Sequence, residues 1–296
     1  MATTTLSDDE LQLVAPRQPV SAHLRDIWRF RELLRNLVRK ELKVKYKKSF
    51  LGFVWSMINP LFLLAVYTLV FNILGTAFEY FTIWLLIGIL VWNLFATSVV
   101  AGTTSVSING YLVNKVRFPR EVLPLASVGA ALVHFFLQSL VLVVVLAAVR
   151  YGVDWSYVWL LPFALVTLLI FAAALAVIFS AMNVYLRDTA HLLELAMMAW
   201  FWLSPILYPY MLIADKLVDR GLNGNLLLLN PVVAPLITFQ RALYGRAAIG
   251  SMKLLPDGSP LWYLRNLAIV CFASALLFVL AIKIFDRAEG NFAEVM

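Results

Sequence analysis

The chain has 296 residues, of which 62% are hydrophobic and 14% charged, with a formal net charge of +7. A soluble globular domain is roughly half apolar and about a quarter charged, so the repeated apolar runs of about 20 residues predict membrane spans rather than one large soluble core. The single cysteine, Cys271, and three scattered histidines exclude a disulfide framework and a His/Cys metal site.

The amino-terminal part divides into two segments. Residues 1–22 are polar and predict a flexible cytoplasmic tail. Residues 23–48 predict a basic amphipathic helix, with apolar residues on one face and arginines and lysines on the other. Such a helix before a span is expected to lie in the membrane interface, and the alternative is packing on another soluble domain. The first apolar run begins only near Phe50, which predicts no cleavable signal peptide.

Residues 49–296 predict an all-α membrane domain with six transmembrane helices, each long enough to cross a hydrocarbon core of about 30 Å. The spans are expected at about 52–74, 82–103, 123–149, 158–182, 191–210 and 264–285.

Charge predicts the orientation of these spans. With the amino terminus inside, the inner segments hold 17 Lys and Arg residues and the outer segments hold seven, so the positive-inside rule places both termini in the cytoplasm. Aromatic residues near the expected outer boundaries fit interfacial anchoring; these are Tyr80, Phe81, Trp84, Tyr151, Trp155, Tyr157, Trp159, Trp262 and Tyr263.

The long outer segment 211–263 is the least regular part of the domain. Its apolar stretches around Leu226–Leu229 and Val232–Leu243 are too short to span and are interrupted by glycines and prolines. Pieces of this length predict re-entrant helices in the outer leaflet. A compact outer loop is the alternative.

The sequence offers little catalytic chemistry. It has no G-x-x-x-x-G-K-[ST] phosphate loop, no supported pair of acidic residues and no Ser/His/Asp arrangement. An ion-driven carrier needs ionisable groups inside its spans, but His134 and Gln138 fit an interhelical hydrogen bond better than a conduit. An energy source outside this chain is therefore expected if transport is uphill.

The inner loop 104–122 joins a turn at Asn109-Gly110, an apolar triplet Tyr111-Leu112-Val113 and a basic cluster that ends at Pro119. The pattern predicts a short helix along the membrane surface that presents Tyr111, Val113, Lys115 and Phe118. The composition alone leaves two interpretations open, a docking surface for a partner and simple positive-inside charge.

Four motifs in order resemble the type-2 ABC permeases of polysaccharide export, the Wzm-like exporters of O-antigen, teichoic acid and galactan. They are the run into the first span, the inner loop, SPILYP (204–209) and LNPVVAPLITFQRALYG (229–245). The likeness covers roughly residues 25–285. In the first motif the matching residues are Tyr46, Lys47, Leu51, Gly52, Trp55, Asn59 and Pro60.

The resemblance implies a half-transporter that forms a homodimer and binds two copies of a cytoplasmic nucleotide-binding ATPase. This chain would then hold no cofactor, since ATP and Mg bind to the partner subunit, and it would not itself be an enzyme. Carried over from the family, the ATPase-coupling residues would be Tyr111, Leu112, Asn114, Lys115, Arg117, Phe118, Arg120, Arg39, Lys43 and Lys47.

A sugar polymer needs a conduit of aromatic faces and exchangeable hydrogen-bonding groups. The residues expected to line it are Asn59, Tyr67, Trp92, Asn93, Trp200, Trp202 and Tyr208, although for each of them a lipid-facing position is the alternative. The outer gate would include Tyr210, Asn230, Pro231 and Phe239.

The sequence therefore favours the permease subunit of an ATP-driven exporter in a bacterial plasma membrane, acting on a polyprenyl-linked glycan such as a cell-wall galactan, O-antigen or teichoic-acid-like polymer. A carrier or channel that works without an ATPase is the second hypothesis. A membrane-embedded transferase is the third, and it lacks the cytoplasmic acidic pair that it would need. Membrane lipids are expected contacts, and nucleic acid is not.

Overall fold

The computed structural model describes residues 29–46, 54–75, 78–115, 118–290 and 292. The predicted tail 1–22 lies outside the described residues, as do the first residues of the predicted amphipathic helix and residues 47–53 of the run into the first span.

The described residues are almost entirely helical. In chain order the helices are α1 (Arg31–Tyr46), α2 (Val54–Ile73), α3 (Phe81–Ile108), α4 (Gly110–Lys115), α5 (Val122–Val149), α6 (Trp155–Val158), α7 (Leu161–Tyr185), α8 (Asp188–Leu203), α9 (Tyr210–Asp219), α10 (Val233–Leu243) and α11 (Pro260–Glu289). A 3₁₀ turn over Gly224–Leu229 separates α9 from α10. Strand β1 (Ala248–Ile249) pairs antiparallel with β2 (Met252–Lys253), a hairpin that the sequence analysis did not predict.

Among the described residues, four helical segments are long and apolar enough to cross a bilayer, namely α3, α5, α6 with α7, and α11. An all-α membrane protein is confirmed at this level. In α2 the apolar part, Pro60–Ile73, is shorter than a span, and α8 has 16 residues. A helix of that length extends roughly 24 Å at 1.5 Å per residue.

The fifth predicted span, 191–210, differs from the helix observed there. Helix α8 ends at Leu203, and Ser204 is extended, with φ −101° and ψ 140°. Ser204 precedes Pro205, whose ring disfavours helical geometry in the residue before it. Chain direction therefore changes at SPILYP, and α9 begins as a separate helix at Tyr210.

Helix α3 lies at the centre of the bundle. In its most apolar window 78% of the residues are buried, against 17% in the corresponding window of α5. Helices α2, α5, α7, α8 and α10 all contact α3. The half of α5 that follows its midpoint leaves large apolar side chains exposed, as expected for a face that meets lipid or another protein.

Small residues allow α3 and α7 to approach closely. A Cβ atom added to Gly102 of α3 would lie 2.5 Å from the Cβ of Ala176 in α7. Ala176 belongs to the alanine-rich stretch FAAALA of α7, whose alanines at 172, 174 and 176 are fully buried. Small residues at such a contact bring the two backbones close enough for dense packing.

Several aromatic residues expected at the membrane surface are instead in the protein core. Trp84, Tyr157 and Tyr263 are buried, so membrane anchoring is the wrong interpretation for them. Their polar atoms explain the difference, because each donates to a backbone carbonyl: Trp84 to Ile206 at 3.1 Å, and Tyr157 to Gly258 and Tyr263 to Pro256 at 2.8 Å each. Tyr80, Trp155 and Trp159 remain exposed, as an anchoring role requires.

The α3–α7 contact yields a stability prediction. Gly102→Ala should lower the free energy of unfolding by up to about 2 kcal/mol, because overpacking costs about 1–3 kcal/mol and the gain in helix propensity offsets only about 1 kcal/mol. Denaturation of the purified protein in detergent measures the change. Gly152→Ala is the matched control, since an added Cβ there meets no atom within 4 Å. Equal stability of the two variants would contradict the close contact.

Candidate functional site

The end of the bundle formed by α1, α4 and the starts of α5 and α8 carries the predicted coupling residues, and we call it the basic end. Helix α1 packs against α5 there. Leu37 is buried. Val38 packs on Gly129 of α5, and a Cβ atom added to Gly129 would lie 2.9 Å from Cγ2 of Val38. Part of the apolar face of the amphipathic helix is therefore covered by this chain's own α5.

Two polar side chains of α1 fix it to the spans. Lys40 Nζ donates to Asn109 Oδ1 at 2.8 Å, and the Asn109 amide donates in turn to the Ser105 carbonyl at 2.8 Å. Ser127 Oγ of α5 donates to Glu41 Oε1 at 2.8 Å. Arg39 and Lys43 are exposed, which leaves both available to a partner or to anionic lipid.

The pKa of Glu41 is raised above its usual value by burial, while the Ser127 hydrogen bond and the Lys40 charge act in the opposite direction. Burial disfavours the charged carboxylate because it removes water that would solvate it. The site where α1 meets α5 is thus sensitive to the protonation of one carboxyl group.

Helix α4 begins directly after Asn109, whose carbonyl accepts from the backbone N–H groups of Leu112 at 2.8 Å and Val113 at 3.1 Å. Tyr111 is 74% exposed, whereas Val113 and Phe118 are 4% and 9% exposed. The sequence analysis expected Tyr111, Val113 and Phe118 to share one exposed surface, and the burial of Val113 and Phe118 corrects that expectation. Both join an apolar cluster with Leu37, and Leu112 packs at its edge.

Arg120 is engaged within the chain. Its Nε lies 3.1 Å from Glu289 Oε1, its Nη1 donates to the Glu289 carbonyl at 3.3 Å, and its guanidinium lies over the Phe292 ring. Tyr185 Oη donates to the Ala288 carbonyl at 2.5 Å. The end of α11 is thereby held between the loop that precedes α5 and the end of α7.

The remaining predicted coupling residues are outside the described parts of the chain, either wholly or in their side chains. Lys47 and Arg117 lie outside the described residues, and the side chains of Asn114 and Lys115 are not described.

Four of the predicted conduit residues line one groove of about 280 Å³ between α2, α3 and α8: Tyr67, Trp92, Asn93 and Trp202. The Tyr67 ring stacks on Phe201, with centroids 6.2 Å apart, and Trp92 meets Phe201 edge-on at 5.7 Å. The groove therefore combines aromatic faces with one amide side chain.

The other predicted conduit residues do not line this groove. Trp200 faces the interior, where it packs against Phe95 and Phe171 and donates its indole N–H to Asn230 Oδ1 at 2.9 Å. Tyr208 Oη donates to the Trp202 carbonyl at 2.8 Å. The side chain of Asn59 lies outside the described residues.

Sequence reasoning missed Leu63, Ile89, Met197, Met198 and Phe201, which also line the groove. A signal for three of them was present in α8. Met197, Met198, Phe201 and Trp202 are spaced so that they share one helical face, whereas Trp200 points elsewhere.

The predicted gate residues lie in tightly bonded surroundings. Asn230 accepts from Trp200 and from the Val232 N–H, and donates to Ser204 Oγ at 3.1 Å. Pro231, next to it, is half-buried. Tyr210 and Phe239 are buried, the first donating to the Gly224 carbonyl at 3.2 Å and the second meeting Phe135 edge-on at 5.9 Å.

An ion pair that sequence reasoning did not single out fixes the end of α10. Arg241 Nη1 lies 2.9 Å from Asp154 Oδ2 and donates to the Gly245 carbonyl at 2.6 Å, and the guanidinium lies 4.1 Å from the Tyr157 ring centre. Asp154 is distant in sequence, so no local pattern predicts this pairing. The end of helix α10 is thus attached to the residues that directly precede α6.

Comparison with known proteins identifies the class. Residues 32–218 match the model of the ABC-2 type transporter family, and the chain belongs to that family.

The chain is 36% identical to the O-antigen export system permease protein RfbA of Myxococcus xanthus, over 92% of this chain and 98% of that protein. Two proteins of the same name from Klebsiella pneumoniae are 29% and 26% identical, each over 90% of this chain and 95% of the relative. The resemblance drawn from the four sequence motifs is confirmed.

The contact between Glu41 and Ser127 yields a pH-dependent prediction. Because the folded-state pKa of Glu41 is raised, its buried charge costs stability above that pKa, and the cost vanishes as the pH falls below 4.5, the ordinary value. Glu41→Gln should therefore have a higher Tm than wild type at neutral pH, with the difference shrinking in acid. Thermal unfolding in detergent across this range measures it.

Ser127→Ala is the matched variant, and it should lose about 1 kcal/mol at neutral pH because the buried carboxylate loses its donor. A Glu41→Gln difference that does not change with pH would contradict the role of the charge.

Proposed function

We propose that the chain is the membrane-spanning permease subunit of an ATP-driven exporter that moves a lipid-linked polysaccharide from the cytoplasm across the plasma membrane. The observation that carries the proposal is the similarity, over 92% of the chain, to a permease named for O-antigen export. The absence of a phosphate loop from the sequence agrees with ATP hydrolysis on a separate subunit.

In the proposed topology both termini are cytoplasmic and two copies of the chain enclose the pathway. Helices α2 and α8 serve as the first and fifth membrane helices, which completes six. Exposed apolar side chains on both helices support this role, including Phe62 and Leu69 of α2 and Leu195 and Met198 of α8. These faces suit contact with lipid or with the second copy.

The proposed coupling surface for the ATPase is Tyr111 of α4 together with the exposed basic residues Arg39 and Lys43 of α1. Its support is mechanical continuity: α4 follows α3 without a spacer, and Lys40 joins α1 to the same Asn109 from which α4 begins. Movement imposed on this surface would reach α3 and α5 as a displacement of packed helices. Phe118 and Arg120 would then act mainly by holding the loop in place.

The aromatic groove between α2, α3 and α8 is the proposed conduit wall. A translocating glycan needs contacts that are weak and repeated, and aromatic faces with one amide provide such contacts for hydroxylated rings. Segment 211–263, with α9 and α10, is proposed as the outer gate that dips into the outer leaflet. The burial of α10 among α3, α7 and α11 supports a position inside the bundle.

Depletion of the protein in its own cell tests the proposal. We expect a lipid-linked glycan to accumulate on the cytoplasmic side, detected by mass spectrometry of the extracted lipid fraction, and an ATPase subunit to co-purify with the tagged chain. A depleted cell with an unchanged pool of lipid-linked glycan would overturn the proposal. Transport by the purified chain down an ion gradient would favour a stand-alone carrier.

The coupling role of Tyr111 is tested by Tyr111→Ala. Truncation of an aromatic residue at the centre of an interface typically costs 2 kcal/mol or more, so ATPase co-purification should fall by at least about tenfold, and export with it. Trp155→Ala is the matched control, since Trp155 is 76% exposed at the opposite end of the bundle. Normal co-purification with Tyr111→Ala would remove α4 from the docking surface.

A further inference from the structure

A second cavity, of about 650 Å³, opens at the basic end between α3, α4, α7 and α8. Its volume lies within the range of roughly 300–1,000 Å³ typical of small-molecule sites. The lining includes Ser107, Tyr111, Asn183 and Arg187 together with His191 and Glu194. Polar groups from four separate helices therefore converge beside the proposed coupling surface, with which the cavity shares Tyr111, and away from the aromatic groove.

Asn183 is one of the residues that line this cavity, and its side chain carries a buried acceptor. Its side chain is 4% exposed, and its amide nitrogen donates to Ser107 Oγ at 3.2 Å. That bond fixes the orientation of the amide, and Oδ1 has no hydrogen-bond partner among the residues that the structure describes. A buried acceptor of this kind costs free energy unless a donor reaches it, and a ligand hydroxyl would supply that donor.

Arg187 supplies a cationic group at the same cavity. It precedes α8, is exposed, and forms no ion pair within the described parts of the chain. The amino-terminal end of α8 adds its partial positive charge. Arginine binds phosphate oxygens with two parallel N–H donors, so this edge of the cavity suits a phosphate group.

The negative groups narrow the choice of ligand. Glu194 Oε2 lies 3.9 Å from Nδ1 of His191, three residues earlier on the same helix, and Asp188 opens α8. The carboxylates of Glu194 and Asp188 and the side-chain oxygen of Asn183 would repel an anion that filled the whole cavity. The same oxygen atoms are good hydrogen-bond acceptors for hydroxyl groups. A neutral sugar alone would leave Arg187 unmatched. A phosphate bonded to a hydroxylated ring satisfies both halves of the lining.

We propose that this cavity binds the phosphosugar headgroup of the lipid-linked glycan before translocation, with Arg187 on the phosphate and Asn183 on a hydroxyl of the first sugar. The proposal rests on the proposed export function and adds to it the chemical unit that is recognised. The segment NVYLRDTA (183–190), which joins α7 to α8 and contains both Asn183 and Arg187, would then take part in substrate selection.

Binding by the full chain in nanodiscs tests the site, with empty nanodiscs subtracted and three probes compared: octyl glucosyl phosphate, octyl phosphate and octyl glucoside. We expect wild type to bind octyl glucosyl phosphate at least about tenfold more tightly than it binds octyl phosphate or octyl glucoside. Arg187→Gln should lose about tenfold for the two phosphate probes and leave octyl glucoside unchanged. Asn183→Ala should weaken binding of the phosphosugar and of octyl glucoside but leave octyl phosphate unchanged, because it removes the acceptor for the sugar hydroxyl.

Controls separate the outcomes. Arg220→Gln changes an exposed arginine outside the cavity and should bind like wild type. Ser107→Ala, which removes the partner of the Asn183 amide, replaces Asn183→Ala if that variant does not fold. Equal affinity for the three probes, or equal losses in Arg187→Gln and Arg220→Gln, would overturn the proposal. Displacement of the phosphosugar by phosphatidylinositol in the nanodisc would assign the cavity to a bilayer lipid and overturn it as well.

Export in cells distinguishes this proposal from the one on which it rests. If wild type exports the glycan and Arg187→Gln exports it at the same rate, the headgroup site fails while the export function stands. If depletion of wild type leaves the pool of lipid-linked glycan unchanged, the export function itself fails.

Discussion

The burial of α3 on nearly all sides is the constraint from which the positions of the candidate sites follow. Its side chains reach α5 and α7 on two sides and α2, α8 and α10 on the others, and Gly102 sets how closely α7 can approach. At one end of α3, Asn109 accepts a hydrogen bond from Lys40 of α1, and its carbonyl accepts the first backbone hydrogen bonds of α4. Near the other end, the indole N–H of Trp84 donates to the Ile206 carbonyl, where the chain turns towards segment 211–263. A shift of α3 would therefore act on both ends of the protein.

The opposite end of the bundle is held by side-chain donors that satisfy backbone carbonyls where helices end. Tyr151 donates to the Tyr244 carbonyl at 2.7 Å and Tyr244 to the Glu79 carbonyl at 2.6 Å. Such partners are needed in an apolar environment, where an unsatisfied carbonyl costs several kcal/mol. Both phenols are protonated donors at neutral pH, and burial raises the pKa of Tyr151 and Tyr244 so that they remain donors at more alkaline pH as well. If the proposed coupling holds, this hydrogen-bonded end would stay fixed while movement enters at the basic end, which is built from short elements.

Helical periodicity and composition predicted the membrane class, the amphipathic α1 and short helical pieces around Leu226–Leu229 and Val232–Leu243, because these depend on local patterns of apolar residues. They did not predict α9. Four of the seven residues that the same reasoning predicted for a conduit line one groove in the structure, and their role in a conduit stays a prediction. That reasoning could not anticipate that Phe118 packs inward or that Arg120 pairs with Glu289, because those contacts join residues far apart in sequence. Trp84 was misinterpreted because an aromatic residue near a span boundary looks the same in sequence whether it meets lipid or a carbonyl.

The central claim, that this permease moves a lipid-linked glycan with energy supplied by a separate ATPase, is tested most directly in proteoliposomes. The measurement follows a fluorescent lipid-linked glycan across the bilayer with the chain alone, with its ATPase partner, and with the partner plus ATP. The account predicts movement only when both the ATPase and ATP are present. Movement by the chain alone, driven by an ion gradient and indifferent to ATP, would contradict it.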